Sequence, residues 1–163
     1  MSRLDAFVHR VTAQRALIDH AVDALRDVEG VVFEIGLGNG RTFDHLRDRF
    51  PDREIYVFDR TARAHADSTP EEKFLIEGQL VETLPQAVAR FKGTVALVHS
   101  DIGNQSSVHC ANMQRLMNRE IAAALAPGGI LLSDLKLAFD DLKPLPRPAG
   151  IKPDWYDAWR RAR

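Results

Sequence analysis

A chain of 163 residues corresponds to one domain of ordinary size, and 45% apolar with 28% charged residues excludes the composition of a disordered chain. The balance of 22 Lys+Arg against 23 Asp+Glu leaves a net charge of −1, so no basic field exists to hold a nucleic acid and no acidic surplus to hold a basic partner. One cysteine, Cys110, rules out an internal disulfide framework and a CxxC metal site and suits a reducing compartment such as the cytoplasm. Charges interrupt the opening "MSRLDAFVHR" where a signal peptide would be apolar, and no run approaches the length of a membrane span.

In chain order, Leu4, Phe7, Val8, Val11, Leu17, Ile18, Ala21, Val22 and Leu25 recur at three- and four-residue steps. They predict an N-terminal helical cap over 1–30, broken near Thr12. "VVFEIG" is a β-branched apolar run ending in glycine, the pattern of a strand buried on both faces. A helix to about Phe50 follows, stopped by Pro51. "EIYVFD", "KFLIEG", "TVALVHSD" and "GILLSD" are four further buried strands. Helical spacing over Val81 to Phe91 and Val108 to Leu125 fills the gaps between them, and "APGG" ends the second of these helices in a turn. The polar stretch "RTARAHADSTPEE" fits either a short helix or a loop. Alternating strands and helices predict a doubly wound α/β domain with a mostly parallel sheet, its core over 31–134. The remaining 135–163 tail begins with a proline-rich stretch that cannot be helical. It ends in "DWYDAWRRAR", which has the spacing of a terminal helix anchored by Trp155, Tyr156 and Trp159.

Chemistry concentrates in "VVFEIGLGNGRTF", where a strand runs into Glu34-x-Gly36-x-Gly38-x-Gly40 and then a helix. Alternate glycines allow a sharp bend and let a ligand approach backbone N–H groups; a tight turn without a ligand is the plainer alternative. A dinucleotide fingerprint would need a small residue where Arg41 or Phe43 stands, which disfavours NAD and FAD.

These residues resemble the first motif of the class I S-adenosylmethionine-dependent methyltransferases, an acidic residue followed by x-G-x-G-x-G. The resemblance extends over about 31–134 and implies a Rossmann-like methyltransferase fold with S-adenosyl-L-methionine as cofactor. It also implies cofactor contacts at Glu34, Gly36, Gly38 and Gly40, a ribose-binding carboxylate at Asp59 in "IYVFDR", and adenine contacts at Arg60, Gln79 and Leu80. Asp59 could instead cap a helix, Gln79 sit in a solvated turn and Arg60 lie on the surface. The fourth strand delivers "VHSDIGN" to the sheet's carboxyl edge, where open α/β folds bind ligands. Asp101 is the catalytic candidate there, as a base or as a group orienting the acceptor or the methionine end; a loop cap is its other reading. His99 and His109 read as packed or surface histidines.

Asp134 stands where catechol-type O-methyltransferases hold a divalent cation with an Asp-Asn pair, but Leu135 replaces the Asn, so no metal is expected. The Asn-Pro-Pro-aromatic tetrapeptide of amide and base N-methyltransferases is replaced by "SDIG". The implied function is methyl transfer to a small-molecule acceptor by in-line displacement, without nucleic acid or membrane partners and with a second subunit able to complete the pocket. The family normally adds a sixth and an antiparallel seventh strand. The short proline-rich tail predicts an abbreviated C-terminal end, which raises a second reading: a non-catalytic S-adenosylmethionine-binding regulatory or partner subunit.

Overall fold

The computed structural model describes every residue except Gln105 and Pro153. Helix α1, Arg3–Ala24, opens on a capping box: the Ser2 hydroxyl accepts the Asp5 N–H at 3.0 Å, while the Asp5 carboxylate accepts the Ser2 N–H at 3.0 Å. It runs unbroken through Thr12, so the expected interruption is corrected; nothing in the helical ladder there competes with continuation. Only its second half enters the core, beginning at Ala13.

Strand β1 (Val31–Ile35), helix α2 (Arg41–Arg49) and strand β2 (Ile55–Asp59) follow. The polar connection forms two single 3-10 turns, Ala66–Ser68 and Glu72–Phe74, before strand β3 (Leu75–Glu77) and helix α3 (Leu80–Arg90). Strand β4 (Val95–Ser100), helix α4 (Ser107–Ala124) and strand β5 (Leu125–Ser133) complete the core. "APGG" is not a separate turn: α4 passes directly into β5. Val95 pairs with Leu125 while Leu97 pairs with Ile130, so the residues between Leu125 and Ile130 bulge out of the ladder.

The tail supplies strand β6 (Leu142–Pro144) and strand β7 (Asp157–Arg161). The sheet order is β3-β2-β1-β4-β5-β7-β6, with β7 antiparallel to both neighbours and the core strands parallel. The predicted terminal helix is therefore wrong. The open edge of β5 pairs Leu131 with Trp159 and Leu132 with Ala158, and those ladder bonds override a local spacing that also suits a helix. The tail is abbreviated in length alone, since β6 has three residues.

Both faces of the sheet are covered. Leu17, Ile18, Ala21, Phe43 and Leu46 from α1 and α2 pack one face against Val32, Val57 and Leu97. On the other face Leu84, Val88, Leu116 and Met117 from α3 and α4 pack against Phe33, Phe58 and Val98. Among the described residues no helix is long and apolar enough to cross a membrane.

Candidate active site

Strand order reverses between β1 and β4, and the loops leaving their carboxyl ends lie side by side: the Asp101 N–H donates to the Ile35 carbonyl at 3.1 Å. Gly36 (φ +95°) sits so close to this second loop that an added Cβ would lie 2.9 Å from both the Asp101 carbonyl oxygen and Ile102 Cγ2. Gly38 (φ +51°) differs, because an added Cβ would meet nothing within 4 Å, so bare backbone faces open space. Gly40 caps α2 against the Ser68 backbone and lines neither cavity described below. The structure gives this expected ligand contact a close packing against Ser68 and does not bring it to either cavity.

Asp59, at the end of β2, ties this loop down. Its Oδ2 accepts the N–H groups of Leu37 at 3.0 Å and Gly38 at 3.2 Å, and its Oδ1 accepts that of Thr61 at 3.1 Å. The structure brings Asp59 together with Arg60, Gln79, Leu80, Gly36 and Gly38 around a cavity of about 380 Å³. Ile102, Asn104, His109 and Met113 form its far wall. His109, expected to be an ordinary surface or packed histidine, shares this wall while its Nε2 bonds the Ile102 carbonyl at 3.0 Å. Met113 escaped the sequence reading; its place one helical turn beyond His109 was the available signal.

A second cavity of about 430 Å³ lies between α1 and the glycine loop, with Phe7, Arg10, Arg15, Arg41 and His45 on its rim. The two cavities share Gly36, Gly38 and Asp101, so Asp101 stands at their junction. Arg10 Nη1 donates to its two carboxylate oxygens at 2.8 and 2.6 Å, and Gln14 Nε2 donates to Oδ2 at 2.8 Å.

Behind the junction runs a polar chain through the apolar core, every hydrogen of which has a place. Gln14 donates its other amide hydrogen to the Tyr156 hydroxyl at 2.9 Å, and that hydroxyl donates to the Ser100 carbonyl at 2.9 Å. With its one hydrogen so used, Tyr156 accepts from His99 Nε2 at 3.1 Å, which leaves His99 Nδ1 to donate to Glu34 at 2.5 Å. Opposite a Glu34 carboxylate, His99 carries both protons. Burial pulls its pKa down, but Glu34, then Asp101 and Asp134, outweigh that and hold the imidazolium above its usual range. Burial, with Asp101 and Asp134, pushes the Tyr156 hydroxyl well up, so it stays neutral.

Glu34 is fully buried, receives both His99 and the Thr42 hydroxyl, and lines neither cavity. The structure places this expected cofactor contact at the root of the glycine loop, behind the cavity lining. Asp134 sits just behind, accepting the N–H groups of Ile102 at 3.2 Å and Gly103 at 2.6 Å. Burial and the neighbouring Asp101 charge raise its pKa to about 6. Among the described residues no group of acidic, histidine or cysteine side chains is arranged to hold a metal.

The donor set fits a nucleoside carrying an amino acid tail: a carboxylate at a strand end, bare glycine backbone, and a half-apolar recess. The family described as "S-adenosyl-L-methionine methyltransferase" matches residues 1–161. No curated protein matches the chain. A solved S-adenosyl-L-methionine methyltransferase from Silicibacter pomeroyi DSS-3 is 41% identical, with 99% of each chain covered and a TM-score of 0.91. The fold also recurs in MycE of the mycinamycin biosynthetic pathway, solved with Mg, S-adenosylhomocysteine and mycinamycin VI (16% identity, 97% of this chain and 48% of that, TM-score 0.60). It recurs again in the Burkholderia thailandensis 1,6-didemethyltoxoflavin-N1-methyltransferase (11% identity, 93% and 79% covered, TM-score 0.53). Strand order, glycine loop and a match over nearly its whole length agree, and the chain belongs to the S-adenosyl-L-methionine methyltransferase family.

Proposed function

We propose that this enzyme methylates a small-molecule acceptor, with the 380 Å³ cavity holding the adenosine of its cofactor and the junction at Asp101 holding the reacting groups. Bound there, S-adenosyl-L-methionine supplies a methyl group on a sulfonium; the acceptor's lone pair forms the new bond to carbon, and the C–S pair leaves on sulfur as a neutral thioether. Asp59 accepts the ribose hydroxyls beside the loop N–H groups it already binds. Arg60, Gln79, Leu80 and Met113 flank the base. Gly36 and Gly38 admit the chain that joins sugar to amino acid. The protein's share of the chemistry is alignment and exclusion of water.

Asp101 is the single acidic side chain lining both cavities, and this placement carries the reading. Held by Arg10 and Gln14, it orients the ends of both ligands and receives the acceptor's proton where the nucleophile bears one. A small acceptor agrees with two cavities of a few hundred Å³ and with a net charge of −1, which offers no field for nucleic acid. The non-catalytic reading rested on a truncated tail; β6 and β7 are both present, which removes its motive.

Calorimetric titration with S-adenosylhomocysteine tests the site. Asp59→Ala should weaken binding by about 10- to 100-fold, the worth of two charge-assisted hydrogen bonds, with the circular dichroism spectrum unchanged. Undiminished binding by this variant would remove Asp59 from the site.

A further inference from the structure

The cavity between α1 and the glycine loop carries more positive charge than its surroundings neutralise. Of its lining residues Arg10, Arg15, Arg41 and His45 are basic, and Asp101 alone is acidic. Asp101 is spent on Arg10 and Gln14. His45 is answered by Asp19 at 3.0 Å. Among the described residues Arg15 and Arg41 have no ion-pair partner. Of the nearby acids of α2, Asp44 pairs with Arg47 at 2.6 Å, and Asp48 lies 3.7 Å from Arg49, which also holds Asp19 at 2.8 Å. In a chain whose overall charge is −1, a local surplus of two guanidinium groups on a cavity is not a by-product of a basic surface.

Half of the surplus, Arg41, is also ordered. Phe7, an exposed aromatic on the outer half of α1, has the Arg10 guanidinium 5.8 Å from its ring centre and that of Arg41 5.9 Å away. A guanidinium held against a ring keeps its N–H edge free for a planar oxyanion. Arg41 is moreover the first residue of α2, whose Gly40 cap offers no side-chain acceptor to the first-turn N–H groups, so that helix end adds to the same positive potential. Val11 and Ile18 give this cavity an apolar wall.

We infer that the methyl acceptor is a small molecule bearing a carboxylate or phosphate next to an apolar body, its anion received by Arg15 and Arg41. The inference rests on the methyltransferase reading of the same site and narrows its substrate class. Cofactor alone does not discharge the surplus. The methionine end is a zwitterion, neutral as a unit, and the sulfonium is itself positive. An anionic acceptor reduces the combined positive charge of the arginines and the sulfonium before transfer. Once the sulfur becomes neutral, part of the attraction that held the acceptor disappears, which favours release of the methylated product.

The test loads the protein with saturating S-adenosylhomocysteine and titrates benzoate, phenyl phosphate and neutral benzamide, following amide shifts by NMR. Benzoate or phenyl phosphate should bind with shifts concentrated in α1, the glycine loop and the start of α2, and benzamide at least tenfold more weakly. The two anions compared show which oxyanion is preferred. The double variant Arg15→Gln/Arg41→Gln should lose about tenfold or more of the anion affinity while S-adenosylhomocysteine affinity moves less than twofold. Equal binding of benzamide, or no anion binding to the loaded protein, overturns the inference. So does a double variant that loses S-adenosylhomocysteine but keeps adenosine, since the arginines would then hold the methionine carboxylate. Tight binding of a short single-stranded RNA that the same variant abolishes would reassign the patch to nucleic acid. Failure of the wild-type protein to bind S-adenosylhomocysteine would instead count against the methyltransferase site itself, so the two failures are distinct.

Discussion

Tyr156 accepts two hydrogens and donates one inside the core, and it shows what single residues contribute here. Tyr156→Phe leaves the Gln14 amide and the His99 imidazolium without an acceptor, at a cost of about 2–4 kcal/mol. Thermal melting should fall by roughly 5–10 °C; a fall within about 1 °C would mean the chain of bonds is dispensable. The glycines separate in the same way. Gly40→Ala drives a methyl group into the Ser68 carbonyl and should unfold more readily. Gly38→Ala meets open space and should cost only the left-handed backbone strain of about 1–2 kcal/mol, while weakening S-adenosylhomocysteine at the face it blocks. Equal losses of stability in the two variants would contradict this division. The glycine bend was legible because it lies in one local pattern, and the strand end at Asp59 because the family resemblance marks it. The Glu34–His99–Tyr156 alignment was not legible, since its members sit on β1, β4 and the approach to β7, and only the sheet order brings them together.

At the scale of elements, apolar runs announced the parallel strands: β1, β2, β4 and β5 are buried along almost their whole length, whereas the edge strand β3 is only half-buried and ends on the exposed Glu77. Strand β7 was misread as a helix. Tyr156 and Ala158 alternate as buried positions, yet the flanking tryptophans produce a three- and four-residue spacing as well. The outer half of α1 gains little from the core, its buried residues starting at Ala13. Removing residues 2–8 should therefore change stability by less than about 1 kcal/mol, as judged by urea unfolding, yet weaken anion binding by taking away the ring against which Arg41 is held. A large loss of stability would show that the outer turns are packed rather than merely tethered through Arg10 and His9, the latter stacked 6.5 Å from Trp155.

For the whole molecule, two buried groups couple folding to pH in the same sense. The folded pKa of Asp134 lies above its unfolded value, about 6 against 3.8. Between those values the unfolded chain has released a proton that the folded chain retains, and stability falls as pH rises. The raised His99 adds stability below about 6.5 that is lost as pH climbs through its higher folded value. Asp134→Asn removes the first contribution. Denaturation from pH 4 to 6 should show the wild type losing stability relative to the variant; parallel curves would indicate an ordinary Asp134.

The placement of β7 between β5 and β6 has a consequence for biosynthesis. A chain that stops at residue 150 carries every strand of the parallel core and the whole glycine loop. It lacks the tyrosine that accepts from the imidazolium and the strand that covers β5. Such a chain exposes a naked apolar edge along β5, so a nonsense codon just upstream of β7 would produce a substrate for proteases rather than a weakened enzyme.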